Sequence, residues 1–398
     1  MITVEQAFGI LDAAVRAGGS EEVAVADAVG RVIARDVRAD VDWPPFDTSA
    51  MDGYAVRMAD VAAPGANLAE RQEIVAAGDP AGGPLGPGEA VRVMTGAPLP
   101  AGTEAIVPVE QAHREGGRVR LEIRPKPGAH IRKKGESVAR GAALLDAGRR
   151  LTPAEVALAA LAGADPLDVM AKPRVAVAVT GNELVAPSDK PSGANLRDSN
   201  GPLLLSLCRR GGWPSRALAR VRDEAAEVDR LFSEARPEEF LVTSGGVSAG
   251  DHDLLPVAAE RAGFEILFHK VAVRPGRPIA FGRRDGCFWF GLPGNPVSAS
   301  VGFHLFVRYA LDRREGSLRP GAPRLVARLA APVRGGSRET YRDATLHDED
   351  GENLVEPVST AGSHDIAAHA RSNALIRLPA GSGELSAGTL VECVRLDL

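Results

Sequence analysis

The stretch RVAVAVTGNE, residues 174–183, decides how the middle of the chain is interpreted. Its apolar half predicts a β-strand from Val175 to Thr180, and its polar half is a short loop that ends in Glu183. Ligands of open α/β sheets bind beyond the carboxyl ends of the strands. This loop is therefore the first place where the sequence predicts a site.

Strands and helices alternate from this stretch towards the C-terminus. The pattern predicts strands at residues 216–221, 240–243 and 287–290, and helices at 203–210, 224–235, 255–262 and 297–311. Such alternation is typical of a parallel, doubly wound α/β sheet. We therefore expect the loops that follow the strands to lie along one edge of one sheet.

The flanking regions have a different pattern. Thr3 with Gln6, and Thr152 with Glu155, predict capped helices that run to Val15 and to about residue 163. Short apolar pieces rich in Pro and Gly predict an all-β insert between these helices and a small barrel or sandwich from about residue 324. The predicted division is a helical linker subdomain (1–38 plus 139–170), an inserted β subdomain (39–138), an α/β domain (171–318) and a C-terminal β-barrel (319–398).

Composition narrows the class of protein. The chain has 398 residues, of which 44% are apolar and 25% charged, as expected for a soluble protein of several domains. Its net charge of −5 argues against a nucleic-acid binder, and its three cysteines are expected to be buried. A signal peptide and a membrane-spanning run are not expected, so the cytoplasm is the predicted location.

Three unusual loops follow predicted strands: residues 180–183, 243–253 and 291–296. Each could be a simple turn, but together they combine glycines, which let a phosphate approach the backbone, with hard oxygen ligands. These predicted ligands are Glu183, Asp251 and Asp253. Phosphate and carboxylates in one place imply a bridging Mg²⁺, since the anions would otherwise repel each other.

Basic residues could complement such a site. Residues 270–278 place Lys270, Arg274 and Arg277 around a Pro-Gly turn, and a second basic run, 132–134, lies in the insert. Basic runs are more often solvated surface than sites, although the prolines beside Arg274 and Arg277 favour a binding role. The insert also contains residues 44–54, with two acids in one short string.

Histidines give no indication of a zinc site. They are scattered without the paired spacing of zinc ligands. His364 and His369 are expected to be surface residues.

Seven ordered strings resemble the MoeA and gephyrin E-domain family of molybdopterin molybdenumtransferases, and the match runs along almost the whole chain. They are PPFDTSAMDGYAV (44–56), RVMTGAPLPAGTEAIVPVEQ (92–111), IRKKGES (131–137), VTGNEL (179–184), TSGGVSAGDHD (243–253), KVAVRPGRPIAFG (270–282) and GLPGNPVSA (291–299).

The resemblance implies a fold and a reaction. It implies an elongated homodimer with an inserted β subdomain, a MogA-like α/β domain and a C-terminal β-barrel. The implied reaction inserts molybdate into the dithiolene of adenylylated molybdopterin and releases the adenylate with Mg²⁺. We expect an active site shared between subunits, because the string around Asp52 and the sheet-edge loops lie on separate subdomains. The molybdopterin adenylyltransferase and acceptor molybdoenzymes are possible further partners.

The resemblance, together with the loop and basic patterns described above, assigns candidate roles to individual residues. The catalytic set is Asp52, Glu183, Asp223, Asp253 and Lys270, and the metal ligands are Glu183, Asp251 and Asp253. The substrate-binding set is Thr95, Gly245, Gly246, Ser248, Arg274, Arg277, Pro293, Gly294, Asn295 and Pro296.

The chain departs from the family pattern at a few positions. Ser137 and Asn182 stand where the family often has acids, and Arg274 and Arg277 stand where it often has lysines. An arginine keeps the charge but changes the geometry of the contact.

Two alternatives to an enzyme follow from the same motifs. Relatives similar to gephyrin also act as receptor-anchoring scaffolds, but those carry extra domains that are not expected here. A binding module without catalysis would not need Asp52, Glu183 and Asp253. Molybdate and tungstate are similar dianions, and the sequence leaves the choice between them open.

Overall fold

Three six-stranded sheets dominate the part of the chain that the computed structural model describes, residues 1–222, 224–234, 238–247 and 254–396. One belongs to the inserted β region, one to the α/β region and one to the C-terminal region. Within these described residues, no helix combines the length and the apolar character needed to cross a membrane.

The helices begin where the sequence places their caps. The side chains of Thr3 and Thr152 each accept a hydrogen bond from the backbone N–H three residues later, which confirms the capping box predicted at Thr3 and the N-cap predicted at Thr152. A π-helical turn, Phe303–Val307, joins the sixth and seventh helices into one rod. The helices are α1 (Val4–Ala14), α2 (Pro153–Leu161), α3 (Asn200–Arg210), α4 (Ala225–Glu234), α5 (Leu254–Arg261), α6 (Pro296–Gly302), α7 (Arg308–Arg314) and α8 (Ile366–His369).

Most strands are short, as the density of Pro and Gly predicts. In chain order they are β1 (Ser20–Val23), β2 (Val37–Arg38), β3 (Thr48–Ser49), β4 (Gly53–Val56), β5 (Asn67–Val75), β6 (Glu89–Val93), β7 (Ala105–Pro108), β8 (Ala112–Glu115), β9 (Arg118–Leu121), β10 (Ile131–Arg132), β11 (Ala143–Leu145), β12 (Leu167–Met170), β13 (Val175–Val179), β14 (Leu184–Val185), β15 (Leu196–Arg197), β16 (Ser215–Ala217), β17 (Phe240–Ser244), β18 (Glu265–His269), β19 (Val273–Arg274), β20 (Ala280–Arg284), β21 (Cys287–Leu292), β22 (Arg324–Leu329), β23 (Val333–Arg334), β24 (Glu339–Glu349), β25 (Glu352–Pro357), β26 (Ala374–Leu378), β27 (Glu384–Leu385) and β28 (Leu390–Arg395).

The α/β sheet has the strand order β16-β13-β17-β21-β20-β18. The four strands that the sequence predicted, β16, β13, β17 and β21, are parallel, which confirms the prediction. The sequence did not predict β20 and β18, and these two strands extend the sheet with antiparallel pairings. The cause is a tight hairpin between β20 and β21. Asp285 and Gly286 both have positive φ there, 46° and 79°, which suits a two-residue hairpin turn.

Helices cover both faces of this sheet, as a doubly wound fold requires. On one face α3 and the α6–α7 rod pack with α1, whose Val4 and Leu11 are buried in the same core as Phe306. On the other face α4 and α5 pack around Trp289. Helix α1 therefore packs on the α/β core, although residues 1–38 were assigned to the linker subdomain; the domain boundaries stay a prediction.

The inserted region and the linker have cores of their own. The insert forms the sheet β7-β4-β6-β5-β9-β8, with buried side chains on both faces that include Tyr54 and Ile106. Helix α2 and the two-stranded pairs β1–β12 and β2–β11 bury Ile33, Leu151 and Val169. The prediction of an all-β insert bracketed by helical structure agrees with this arrangement.

The C-terminal region is a closed barrel of five strands, β24-β25-β22-β28-β26, in which β26 pairs again with β24. A sixth strand, β19, comes from the α/β region and pairs in parallel with β24, Val273 opposite Glu339 and Arg274 opposite Thr340. This pairing brings the Pro-Gly turn of residues 275–276 against the barrel.

Candidate functional site

A cleft of about 1100 Å³ lies between the carboxyl ends of the α/β strands and the barrel. Three predicted loops or their stems line one wall, which we call the loop wall: residues 179–181 with 183–184, 244–247 and 293–298. The turn of residues 274–278 and barrel residues 338 and 340–343 line the opposite wall. The sequence thus correctly placed these loops at one edge of one sheet.

Asn200, which the sequence did not indicate, ties the loop wall together. Its amide Nδ2 donates to Ser244 Oγ (2.8 Å) and to the carbonyl oxygen of Gly294 (2.7 Å). Ser244 Oγ in turn donates to the carbonyl oxygen of Pro293 (3.0 Å). The loops that follow the neighbouring strands β17 and β21 are therefore held in a fixed position relative to each other.

The two glycines of the 244–247 loop are required by its close packing. Gly245 has φ +98°, and a Cβ there would lie 2.4 Å from the carbonyl oxygen of Thr180. Gly246 has φ +61°, and its Cβ would lie 3.0 Å from Thr180 Oγ1. Any side chain at Gly245 would push the two loops apart.

Four arginines form the opposite wall, which we call the cation wall: Arg274, Arg277, Arg338 and Arg342. Arg274 and Arg277 are exposed to the cleft, and Nη1 of Arg338 donates to the carbonyl oxygen of Val273 (3.0 Å). Burial lowers the pKa of Arg338, and the charges of Arg277 and Arg274 lower it further. Within the described residues, no carboxylate forms an ion pair with any of the four, so the wall is suited to an anion.

Sequence reasoning missed half of this wall. Arg338 and Arg342 come from the barrel, far along the chain from Arg274. Their spacing of four residues is a common surface pattern, so no local signal distinguished them. Only the pairing of β19 with β24 shows that they belong with Arg274 and Arg277.

Glu183 is exposed and lines the cleft, so its carboxylate is accessible to a metal ion. Four other predicted site residues, Asp223, Ser248, Asp251 and Asp253, lie outside the described residues. Among the residues that the structure does describe, there is no group of three or more His, Cys, Asp or Glu side chains suited to a metal. The metal site therefore stays a prediction, and Glu183 is the one of its three predicted ligands that lies among the described residues.

Lys270 lies outside the described lining of the cleft. It is half-buried with φ 74°, and its backbone N–H donates to the carbonyl oxygen of Ile279 (2.9 Å) while its carbonyl accepts from Ile2 (3.1 Å). The structure shows how its backbone is held, and its catalytic role remains a prediction.

The insert presents a separate cluster. Asp52 Oδ1 accepts two hydrogen bonds from Thr95, from its backbone N–H (2.8 Å) and from its hydroxyl (2.7 Å). These bonds lower the pKa of Asp52. Asp47 accepts from Lys133 Nζ (2.7 Å) and from the backbone of Lys134 (2.9 Å). None of these five residues lines the cleft, so one chain carries two separate sets of candidate residues.

The two C-terminal histidines differ. His364 is exposed, as predicted, and lines the cleft. His369 was also expected on the surface, and this prediction is wrong: it is 8% exposed and lies between Asp343 and Ser300. The three cysteines are buried as predicted, and burial raises the pKa of the Cys208 thiol to about 12.

Known proteins match this chain along its length. Three family models match: the MoeA N-terminal region (domain I and II) at residues 2–163, a probable molybdopterin binding domain at 176–313, and the MoeA C-terminal region (domain IV) at 326–396. The molybdopterin molybdenumtransferase of Bacillus subtilis is 35% identical over 384 residues, covering 94% of this chain and 89% of the relative. Molybdopterin molybdenumtransferase 2 of Mycobacterium tuberculosis is 37% identical, covering 93% of each chain.

Solved structures agree with the fold along the whole chain. A crystal structure of the molybdopterin biosynthesis moeA protein from Pyrococcus horikoshii OT3 superposes with a TM-score of 0.84 at 27% identity, covering 100% of both chains. A crystal structure of a molybdopterin biosynthesis moea protein, also from Pyrococcus horikoshii, gives a TM-score of 0.83 at 30% identity, covering 99% of both chains.

Proposed function

This chain belongs to the MoeA family of molybdopterin molybdenumtransferases, transferases of molybdenum cofactor biosynthesis, and we propose that it inserts molybdate into the dithiolene of adenylylated molybdopterin with release of AMP. The observation that carries the proposal is the cleft with its two unlike walls. The cation wall offers four arginines, and the loop wall offers tightly packed glycine loops. A tetrahedral dianion and a larger phosphorylated ligand can bind side by side in such a space.

The cation wall is suited to molybdate. A guanidinium presents a planar fork that can donate two parallel hydrogen bonds to an oxyanion. Arg274 and Arg277 flank residues 275–276, whose proline restricts the backbone and so reduces the entropy lost on binding. Unlike a lysine, each arginine would also orient the oxyanion.

The loop wall is suited to the adenylylated pterin. Gly245, Gly246 and Gly294 let the backbone approach phosphate oxygens closely. The hydrogen bonds of Asn200 hold these loops in place before the ligand arrives, which reduces the conformational entropy lost on binding. The chain would thus hold the two substrates on facing walls, with their reacting groups brought together between them.

Magnesium is proposed as the cofactor, held by Glu183, Asp251 and Asp253. Glu183 fits this role because it is an exposed carboxylate at the cleft, and hard oxygen donors are what Mg²⁺ prefers. When bound, the ion would offset phosphate charge during adenylate release.

A homodimer with a shared active site is proposed to bring Asp52 and Thr95 to the cleft of the other subunit. Both residues lie away from the cleft of their own chain. Large apolar side chains are exposed beside them, Trp43 (45%), Phe46 (44%) and Met51 (37%), which suits a surface that another subunit covers. Contacts with a molybdopterin adenylyltransferase and with acceptor molybdoenzymes would follow from the same pathway position.

The reaction can be tested directly. Purified protein is incubated with adenylylated molybdopterin and Mg²⁺, with molybdate, tungstate or no oxyanion added. We expect AMP to appear together with a metal-loaded pterin, measured by chromatography and by elemental analysis. A protein that binds the pterin but releases no AMP and loads no metal under any of these conditions would refute the proposal.

A further inference from the structure

A buried hydrogen-bonded chain of three side chains connects the barrel to the α6–α7 rod. His369 Nδ1 lies 2.7 Å from Asp343 Oδ1, and His369 Nε2 lies 2.8 Å from Ser300 Oγ. The three residues are 8%, 5% and 1% exposed. An ionised carboxylate only accepts hydrogen bonds, so Nδ1 donates to Asp343 and leaves Nε2 to accept from the Ser300 hydroxyl when the ring is neutral.

The connectivity is that of a hydrolase triad, but the placement is not. Ser300 lies inside α6, one turn from its start, where both its hydroxyl and its backbone are covered. A nucleophilic serine must be reachable by its substrate. A positional role therefore explains these contacts better than a hydrolytic one.

The segment before His369 holds α6 at a second point. Asn295 Nδ2 donates to Ser363 Oγ (2.8 Å), and the backbone N–H of Val297 donates to the carbonyl oxygen of Ser363 (3.1 Å). Residues 363–369 thus contact the beginning of α6 through Ser363 and its middle through His369. We call this segment the clasp.

The clasp joins the two walls of the cleft. Helix α6 continues directly from residues 293–296 of the loop wall, whereas Asp343 lies on β24, which also carries Arg342 of the cation wall. The arginines are fixed relative to each other without His369, because β19 pairs with β24 and Arg338 bonds to Val273. The turn of residues 274–278 also packs on the start of α6, since a Cβ at Gly276 would lie 3.5 Å from the carbonyl oxygen of Ser298. His369 adds a buried hydrogen-bonded connection between β24 and the middle of α6.

We propose that His369 is a positioning residue that sets the distance between the loop wall and the cation wall, through Ser300 on one side and Asp343 on the other. The inference rests on the proposed function. A ligand held by the cation wall alone does not sense this distance. A reaction between ligands on the two walls does, and a misplacement of about 1 Å can cost roughly a hundredfold in rate.

The test compares three variants with the wild-type protein. His369→Leu keeps similar volume but removes both hydrogen bonds, and His369→Gln retains one donor and one acceptor at a spacing close to that of the ring nitrogens. His347→Leu is the matched control, because His347 is exposed on β24, the strand that carries Asp343, and lies outside the cleft lining. Each protein is assayed for turnover with adenylylated molybdopterin and molybdate, for molybdate affinity by calorimetry, and for amide hydrogen exchange in residues 297–302.

We expect His369→Leu to lower turnover about ten- to hundredfold with molybdate affinity within about twofold of wild type, and to speed exchange in residues 297–302. His369→Gln should recover most of the activity, and the control should match wild type. Equal turnover and equal exchange in His369→Leu and wild type would overturn the proposal. So would a parallel loss of turnover and molybdate affinity, or a glutamine variant no better than leucine.

Two further measurements distinguish a failure of this inference from a failure of the proposed function and from a variant that does not fold. If the wild-type protein binds its ligands but shows no transfer, the proposed function fails, and the exchange of residues 297–302 alone decides whether His369 holds α6. If His369→Leu does not fold, Ser300→Ala removes one of the two bonds with little loss of volume. That variant should lose about three- to tenfold in turnover and none in molybdate affinity, and unchanged turnover together with unchanged exchange would count against the proposal.

Discussion

Nη2 of Arg150 lies 2.8 Å from Oδ1 of Asp312, and this pair joins the linker region to the last helix of the α/β region. Arg150 also contacts Glu315, Nη1 to Oε2, at 2.9 Å. Burial raises the pKa of Asp312 from 3.8 to about 6, although the charges of Arg150 and Arg308 lower it. The carboxyl therefore binds its proton more tightly in the folded than in the unfolded state.

The sign of the pH dependence follows. Ionising Asp312 costs stability, so this residue lowers the free energy of unfolding as the pH rises from about 4 to about 6, by up to about 3 kcal/mol. Asp312→Asn cannot titrate and lacks this slope. Urea unfolding at pH 4 and pH 7 should show that the free energy of unfolding of the variant, relative to that of wild type, is larger at the higher pH. Parallel stability curves for the two proteins would contradict the prediction.

Removing an arginine from the cation wall should weaken anion binding. Charge-assisted hydrogen bonds contribute roughly 1.5–3 kcal/mol, so Arg274→Ala and Arg277→Ala should each lower the affinity for molybdate about ten- to hundredfold. Lysine replacements should cost much less, because the charge remains. Calorimetric titration measures both, and Arg283→Ala, an exposed arginine outside the cleft, is the control. Unchanged affinity in both alanine variants would mean that these side chains only cover the turn.

Glu183→Gln should abolish Mg²⁺-dependent turnover and leave the melting temperature nearly unchanged. The reason is that Glu183 is an exposed carboxylate, so its charge contributes little to folding. Asp189→Asn is the matched control, an exposed acid nearby that lies outside the cleft lining. Activity is measured as AMP release over a range of Mg²⁺ concentrations. A fall of many degrees in the melting temperature of the glutamine variant would favour a structural role instead.

Two inactive variants should complement each other if the active site is shared. Asp52→Ala damages the insert cluster, and Glu183→Ala damages the cleft, so a mixed dimer keeps one intact site. Random exchange of subunits gives half mixed dimers, and about a quarter of wild-type activity is expected because one of the two sites in each is intact. Exchange is followed with labelled subunits. No recovered activity after demonstrated exchange would refute the shared site.

Local signals in the sequence predicted the local structure well. Thr3 and Thr152 cap helices because their hydroxyls satisfy backbone donors nearby, which requires no knowledge of the rest of the chain. Val175 to Val179 forms a central strand for an equally local reason. The loops that follow such strands then fall at one sheet edge by topology alone.

Long-range contacts could not be predicted in this way. Arg338 reaches the cleft because β19 pairs with a barrel strand more than 60 residues away, at Val273 opposite Glu339. The segment around His369 contains several polar residues, which favoured a surface position. Only the packing of α8 on α6 shows that His369 is buried. Asn200 precedes the helix predicted at residues 203–210, and no local pattern indicates its hydrogen bonds to Ser244 and to the carbonyl oxygen of Gly294.

The pairing of β19 with β24 also limits how this protein can be divided. A chain cut between the α/β region and the barrel would leave Val273 and Arg274 as an open edge and would remove two of the four arginines from the cleft. The barrel therefore cannot be exchanged between relatives as an independent domain. A functional chimera would have to take residues 270–278 and the barrel from the same parent.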